Sequence, residues 1–115
     1  MTNDEVNKII AEYMGAIFYE THDPAPVLIL DGYEIKIKGF NKYTESLDAL
    51  VPVWEKLGTH EMTVWNIHSV HGISAEVNKI IGEYNRDFSS DRKTVQEAAA
   101  HATAKAIISL NNQST

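Results

Sequence analysis

The five histidines are the first candidates for metal binding or catalysis, because imidazole titrates near neutral pH and is a common metal ligand. His68 and His71 stand three positions apart in a stretch, residues 61–70, whose composition predicts a strand. An odd separation on a strand puts two side chains on opposite faces, and no carboxylate pattern completes a set of three or four ligands. We therefore predict no metal site and no bound cofactor.

Acid–base and nucleophilic chemistry find little support in the remaining motifs. His22 and Asp23 could form an acid–base pair, but two prolines beside them favour a plain turn. His101 lies off the apolar stripe of its predicted helix, so we expect it to be partly exposed. The chain has no Gly-x-Ser-x-Gly elbow and no Gly-rich phosphate loop. We assign no catalytic residue, although an active site assembled from distant residues stays open.

The two tryptophans are candidates for binding. Trp54 falls in the apolar stripe of a predicted helix, which favours core packing. Trp65 alternates out of phase with Met62 and Val64, so the face of the strand turned away from the helices is partly apolar as well. Such a face suits a protein partner or a dimer interface. The predicted partner surface consists of Trp65, Ile67, His68 and His71.

Composition narrows the class of protein. The length of 115 residues and the 43% of apolar residues predict a single domain over 1–115. With no cysteine, disulfides and thiolate metal sites are excluded. The polar start Met1-Thr2-Asn3-Asp4-Glu5 is unlike a signal peptide, and short apolar runs predict no membrane span, so we expect a location in the bacterial cytoplasm. A net charge of −6 with scattered Lys and Arg disfavours nucleic-acid binding.

Helix and strand patterns cover most of the chain. Capping boxes at 2–5 and 94–97 predict helices at about 3–14 and from 94 to Leu110. In the second of these helices Val95, Ala99, Ala102, Ala106 and Leu110 form one predicted apolar face. Asp31-Gly32 between two apolar runs predicts a hairpin. A helix at 46–57 contains Pro52, which predicts a bend or a later start. Strands are expected at 61–70 and from Ile73 towards Tyr84, ended by Ser89-Ser90-Asp91.

A nonapeptide occurs twice. Residues 5–13, Glu-Val-Asn-Lys-Ile-Ile-Ala-Glu-Tyr, recur at 76–84 with Gly82 in place of Ala11. A duplication would make both copies helical, but the resemblance ends with the nonapeptide and the second copy follows a strand-like lead-in. We therefore favour a strand for the second copy, with a helix as the alternative.

Three stretches together resemble a known family. They are residues 7–15, residues 43–57 around Trp54, and the Ala-rich residues 94–107. In this order they resemble the phage ABA sandwich domain family, small proteins of phages, prophages and their hosts. The resemblance implies an α+β fold, an antiparallel sheet sandwiched by helices, and we expect the order α-β-β-α-β-β-α. It implies a phage or mobile-element origin and no activity, so it carries no functional residues.

These observations predict a phage- or prophage-derived accessory protein that acts by non-enzymatic protein binding. The expected partner is a host or phage protein, with a homodimer as an additional possibility; an acidic surface suits basic protein faces. Two alternatives stay open. The order helix, three strands, Ala-rich helix from residue 46 resembles a double-stranded-RNA-binding domain, but only Arg92 and Lys93 precede the last helix. The other alternative is a protein that sequesters a small molecule such as a nucleotide.

Overall fold

The computed structural model describes residues 1–19, 27–58, 61–66, 73–81 and 84–113, with side chains in 1–19, 27–58 and 92–111. These residues form two antiparallel three-stranded sheets and four helices, an α+β fold. The predicted order lacked one strand in each half and a short helix. The observed elements are α1 (Asn3–Tyr13), β1 (Ile17–Tyr19), β2 (Val27–Leu30), β3 (Tyr33–Lys36), α2 (Lys42–Glu45), α3 (Leu47–Leu57), β4 (Glu61–Asn66), β5 (Ile73–Ile81), β6 (Tyr84–Arg92) and α4 (Val95–Gln113).

Helix α1 begins where the capping pattern predicts. The Thr2 hydroxyl accepts a hydrogen bond from the backbone N–H of Glu5 at 3.2 Å, which satisfies one donor that the first turn cannot use. Its buried side is Val6, Asn7, Ile10 and Ala11. The helix therefore turns one apolar face, interrupted by a single amide, towards the core.

The first sheet has the order β1-β2-β3. The hairpin between β2 and β3 is confirmed: its turn residues Asp31 and Gly32 have φ angles of 52° and 84°, the left-handed pair that a two-residue hairpin requires. Strand β1 was not predicted, because three residues are too few to show alternation. It pairs with β2 in antiparallel fashion, with Phe18 opposite Leu28.

Asn7 of α1 fixes the short helix α2. The Asn7 Oδ1 accepts hydrogen bonds from the backbone N–H groups of Tyr43 (2.8 Å) and Thr44 (3.3 Å). Its Nδ2 donates to the Asn3 carbonyl (2.8 Å) and to the Thr44 hydroxyl (2.9 Å). Since α2 has no side-chain cap of its own, Asn7 satisfies first-turn donors that its neighbours in sequence leave open. No sequence pattern predicts a cap supplied from 36 positions away.

Helix α3 begins at Leu47, with Ser46 as its cap; the Ser46 hydroxyl accepts from the Ala49 N–H at 3.2 Å. Pro52 is the sixth helical residue, beyond the first turn where proline costs nothing. The helix nevertheless continues to Leu57, where Gly58 adopts a left-handed φ of 69° and closes it. Burial of Leu50, Val53 and Leu57 offsets the hydrogen bond that proline removes.

The second sheet has the order β4-β5-β6. The predicted end of a strand at Ser89-Ser90-Asp91 is wrong, because these residues lie within β6 and pair with β5. Strand β6 is polar and lacks an alternating apolar pattern. Its pairing with β5 imposes the extended conformation, which is why its own sequence gives no strand signal.

The two copies of the nonapeptide have different secondary structures. Residues 5–13 lie in helix α1, whereas residues 76–81 lie in β5 and Tyr84 begins β6. The expectation of a strand at the second copy is therefore confirmed. The flanking residues explain the difference: the position of the cap Thr2 is Ile73 in the second copy. Gly82 also replaces Ala11, which lowers helix propensity by about 1 kcal/mol.

Helix α4 is the centre of the molecule. It packs against all three other helices and against the second sheet, chiefly β5 and β6. From Ala98 to Ile107 every side chain except that of Lys105 is buried, so burial extends well beyond the predicted apolar face. Alanine at most of these positions lets neighbouring backbones approach from every side. The buried residues are Ala98, Ala99, Ala100, His101, Ala102, Thr103, Ala104, Ala106 and Ile107.

In the part of the chain that the structure describes, none of the helices combines the length and the apolar character needed to cross a bilayer.

Candidate binding face on the first sheet

The register of the first sheet separates its two faces. One face carries Leu28 and Leu30, which belong to the main core, with Phe18 and Ile35 packed against it. The ammonium group of Lys8 lies 4.1 Å from the centroid of the Phe18 ring, so α1 covers this face. We call this the inner face.

The opposite face, which we call the outer face, is apolar and only partly covered. Ile17 and Tyr19 lie on it, and their side chains are 56% and 47% exposed. Across the sheet they stand opposite Ile29, which is half-buried, and Val27, which is buried. Exposed single apolar residues are common, but here two adjoin a third on one sheet face. The outer face therefore offers an apolar contact surface.

Charged residues sit at only one edge of this sheet. In β3, Glu34 and Lys36 lie on the outer face, opposite Ile29 and Val27. The other edge strand, β1, consists of Ile17, Phe18 and Tyr19 and carries no charge. Proteins usually place charges on edge strands to prevent strand-to-strand association, so β1 lacks the protection that β3 has.

Only one residue of the predicted partner surface lies within the described residues. Trp65 is in β4, where it pairs with Ser74 of β5. Ile67, His68 and His71 lie outside the described residues, as do His22 and Asp23. That surface thus stays a prediction. Trp54 is confirmed as a packing residue: it lies against the core, and its indole Nε1 donates to the Thr103 hydroxyl at 2.9 Å.

The expectation of a partly exposed His101 is wrong. His101 is 1% exposed, because α1 and β6 cover its side of α4. Nε2 donates to the Asn3 Oδ1 at 2.7 Å, and Nδ1 accepts from the Arg92 Nε at 3.1 Å. Burial lowers the pKa of His101 to about 4, with further contributions from the charges of Arg92, the amino terminus and Lys105. A neutral imidazole with both nitrogens bonded joins α1, β6 and α4 and is not free to bind a metal or move a proton.

Two hollows in the described part of the chain are candidate ligand sites. An open groove of about 400 Å³ between α1 and α4 is lined by Ile9, Glu12, Tyr13, Ile108 and Asn111. Lys56 donates to the Tyr13 carbonyl and lies 4.4 Å from its ring centroid, and burial raises the pKa of the Tyr13 hydroxyl. The carboxylate in this lining, that of Glu12, is paired with Lys8 at 2.7 Å, and no histidine, serine or lysine is among the lining residues.

The second hollow, of about 310 Å³, is polar. Its lining consists of Thr44, Glu45, Thr94, Gln96 and Glu97. The Thr94 hydroxyl already caps α4 by accepting from the Glu97 N–H at 3.1 Å. Within the described residues no group of three or more His, Asp or Glu side chains could hold a metal ion. The described part of the chain thus offers a contact surface more clearly than a reaction centre.

Comparisons with known proteins identify a shared fold. No protein-family model and no curated protein matches the sequence. Among solved structures, the chain is similar to a phage protein from Bacillus cereus, determined at 2.0 Å, with a TM-score of 0.56. The likeness covers 96% of this chain and 92% of that chain at 19% identity. Identity at this level shows a shared fold, so membership of the phage ABA sandwich family stays a prediction.

Sequence reasoning missed the outer face because it missed β1. The signal available was the run Ile17-Phe18-Tyr19, three β-favouring residues between Gly15 and a stretch of sequence that contains Pro24 and Pro26. A three-residue run predicts a strand only when the strand that pairs with it is known. In the structure that pairing strand is β2.

Proposed function

We propose that this chain is a phage- or prophage-derived accessory protein that acts by binding another protein through the outer face of its first sheet. The observation that carries the proposal is the exposure of Ile17 and Tyr19 beside Ile29 on that face. Aromatic and aliphatic side chains that stay exposed in the free protein are the usual anchors of an interface. The shared fold with a phage protein supports the phage origin.

The partner we propose is a host or phage protein with a basic rim around an apolar patch. The chain carries a formal charge of −6, so association with a basic protein is favoured at long range. The surface around Trp65, Ile67, His68 and His71 remains a second proposed contact region.

The proposal also covers the domain extent, the family and the cellular location. We propose a single domain over 1–115 of the phage ABA sandwich family, in which helices sandwich a sheet, in the bacterial cytoplasm. The core supports the single domain, because α1, α3 and α4 all contribute buried residues to one cluster.

A matched pair of variants tests the binding face. Tyr19→Glu places a charge on the outer face, whereas Tyr33→Glu changes an exposed tyrosine of the same sheet that the register assigns to the inner face. Each tagged protein is used to capture partners from host lysate, which are quantified by mass spectrometry. We expect a protein that wild type and Tyr33→Glu retain and that Tyr19→Glu loses by about tenfold or more, the effect of removing an interface anchor. Equal capture by all three proteins would contradict the proposal.

One observation favours a second candidate. The order α3, β4, β5, β6, α4 is the helix, three antiparallel strands, helix order of a double-stranded-RNA-binding domain. Acidic charge opposes it, since Glu97 follows Arg92 and Lys93 at the start of α4. Fluorescence anisotropy with a labelled duplex of roughly 16 base pairs, the span of such domains, decides the matter. Binding that weakens steeply with salt would support this candidate.

Sequestration of a nucleotide stays a weaker proposal. The groove between α1 and α4 supplies the ring of Tyr13 for stacking, but Glu12 in its lining repels phosphate.

A further inference from the structure

We infer that β1 is the pairing edge for a second copy of this chain, which would extend the first sheet across a two-fold axis. The inference rests on the proposed binding face, because Ile17 and Tyr19 belong to both. It starts from topology: β1 is the edge of the order β1-β2-β3, so half of its backbone N–H and C=O groups point away from β2. Strand addition at such an edge supplies hydrogen bonds without any new side-chain pocket.

The two edges of this sheet differ in protection. Glu34 and Lys36 alternate along β3, and a strand added there would have to accommodate both charges. Strand β1 places Ile17 and Tyr19 on the outer face and Phe18 on the inner face, with no charge, proline or glycine among them. A strand added at β3 would therefore desolvate two charged side chains, whereas a strand added at β1 would desolvate none of the residues of that strand.

A second copy fits β1 because the strand is complementary to itself. In an antiparallel pair centred on Phe18, Ile17 lies opposite the partner's Tyr19, and Tyr19 lies opposite the partner's Ile17. Each aliphatic–aromatic pair is favourable in a cross-strand position. The row Ile29, Ile17, the partner's Tyr19 and the partner's Val27 then runs across the axis. A two-fold axis makes both rows equivalent, as a closed dimer requires.

The charges described near this edge do not oppose a second copy. Lys8, above Phe18 on the inner face, is paired with Glu12 at 2.7 Å. Glu34 and Lys36 have opposite signs and lie two strands from the edge, roughly 10 Å away, beyond the screening length at physiological salt. The excess negative charge of the chain is thus not concentrated near β1 in the described residues. A second copy therefore meets little repulsion from the described residues around β1.

The area that two β1 strands can bury against each other limits the affinity of the dimer. Two three-residue strands bury less than the roughly 1,600 Å² of a standard interface, so we expect a Kd on the order of 100 μM. The dimer should therefore form in concentrated solution and dissociate on dilution.

Cysteine cross-linking tests the register directly, because the chain contains no cysteine. Ile17→Cys and Tyr19→Cys are prepared separately and oxidised alone and as an equal mixture. Opposite positions of an antiparallel pair bring Cβ atoms to about 5 Å, whereas diagonal positions leave them about 7–8 Å apart. We expect the mixture to form a disulfide-linked dimer about tenfold faster than either variant alone, since disulfide geometry requires the closer approach. Val51→Cys, at an exposed apolar position on α3, is the control for random collision.

Equal cross-linking rates for the mixture, the single variants and Val51→Cys would overturn the inference. So would a sedimentation mass that stays at the 12.9 kDa of one chain at concentrations well above the expected Kd. If the chain is monomeric but Tyr19→Glu still loses a captured protein, the second copy is refuted and the proposed function stands. If register-specific cross-linking occurs but Tyr19→Glu captures every partner normally, the dimer stands and the proposed function fails.

Discussion

Acid should weaken this protein through His101. In the folded chain the pKa of His101 is lowered from 6.5 to about 4, chiefly by burial. The unfolded chain, with an ordinary pKa near 6.5, therefore binds a proton that the folded chain excludes. The contribution of the neutral ring is complete above pH 6.5 and is lost as the pH falls towards 4. Protonation of Nδ1 would also set it against the Arg92 Nε that donates to it.

The size of the effect follows from the two pKa values. Between pH 7.5 and pH 5 the free energy of unfolding should fall by about 2 kcal/mol from this group, with a full loss of about 3 kcal/mol below pH 4. Urea titrations at a series of pH values measure it. The rest of the chain has a pH dependence of its own, so wild type is compared with His101→Gln, in which only this contribution is removed.

We expect His101→Gln to be less stable at pH 7.5, by about 1–2 kcal/mol, because the shape of the hydrogen-bonded site changes. Its stability should then fall less with acid than that of wild type, and the difference between the two proteins should shrink towards pH 5. An NMR titration reports the pKa of the ring itself. Parallel stability curves for the two proteins, or a pKa near 6.5 in the folded state, would refute the reasoning.

Three further outcomes follow from the packing. Asn7→Ala removes all four hydrogen bonds of a fully buried amide and the cap of α2, so urea denaturation should show a loss of about 3 kcal/mol or more. Ala102→Leu should cost about 1–3 kcal/mol by overpacking a fully buried position of α4, whereas Val51→Leu, at an exposed position of α3, should change the unfolding midpoint little. Isolated peptides of residues 2–15 and 73–86 contain the two copies of the nonapeptide, and we expect the first to gain more helix on addition of trifluoroethanol, as measured by circular dichroism, because it has the Thr2 cap and lacks Gly82. Equal helix contents would show that the cap and Gly82 do not decide the conformation.

Local signals predicted part of this fold. A Thr hydroxyl three residues before a Glu starts α1 and also α4, and Asp31-Gly32 closes the hairpin, because each of these depends on residues adjacent in sequence. Contacts between distant segments decided the rest. Helix α2 depends on hydrogen bonds from Asn7, and β6 depends on its pairing with β5. The residue pattern of α4 predicted one apolar face, because the sequence does not reveal that helices and a sheet pack on several sides of it.

The candidate site was predicted less well than the fold. Apolar alternation in a longer strand predicts the surface around Trp65, whereas the outer face of the first sheet depends on a strand of only three residues. Exposure of Ile17 and Tyr19 is a property of the folded surface, and β-propensity does not distinguish an open edge from a covered one.

The central position of α4 affects when the protein can fold during synthesis. Asn3 and His101 are hydrogen-bonded although 98 positions separate them, and α1 and the second sheet both pack on a helix that the ribosome makes after them. Until α4 has left the exit tunnel, the apolar side of α1 has no complete surface to cover it. Nascent chains should therefore stay protease-sensitive until α4 has emerged from the ribosome and then fold in one step, and premature termination before α4 should leave products that chaperones and proteases recognise.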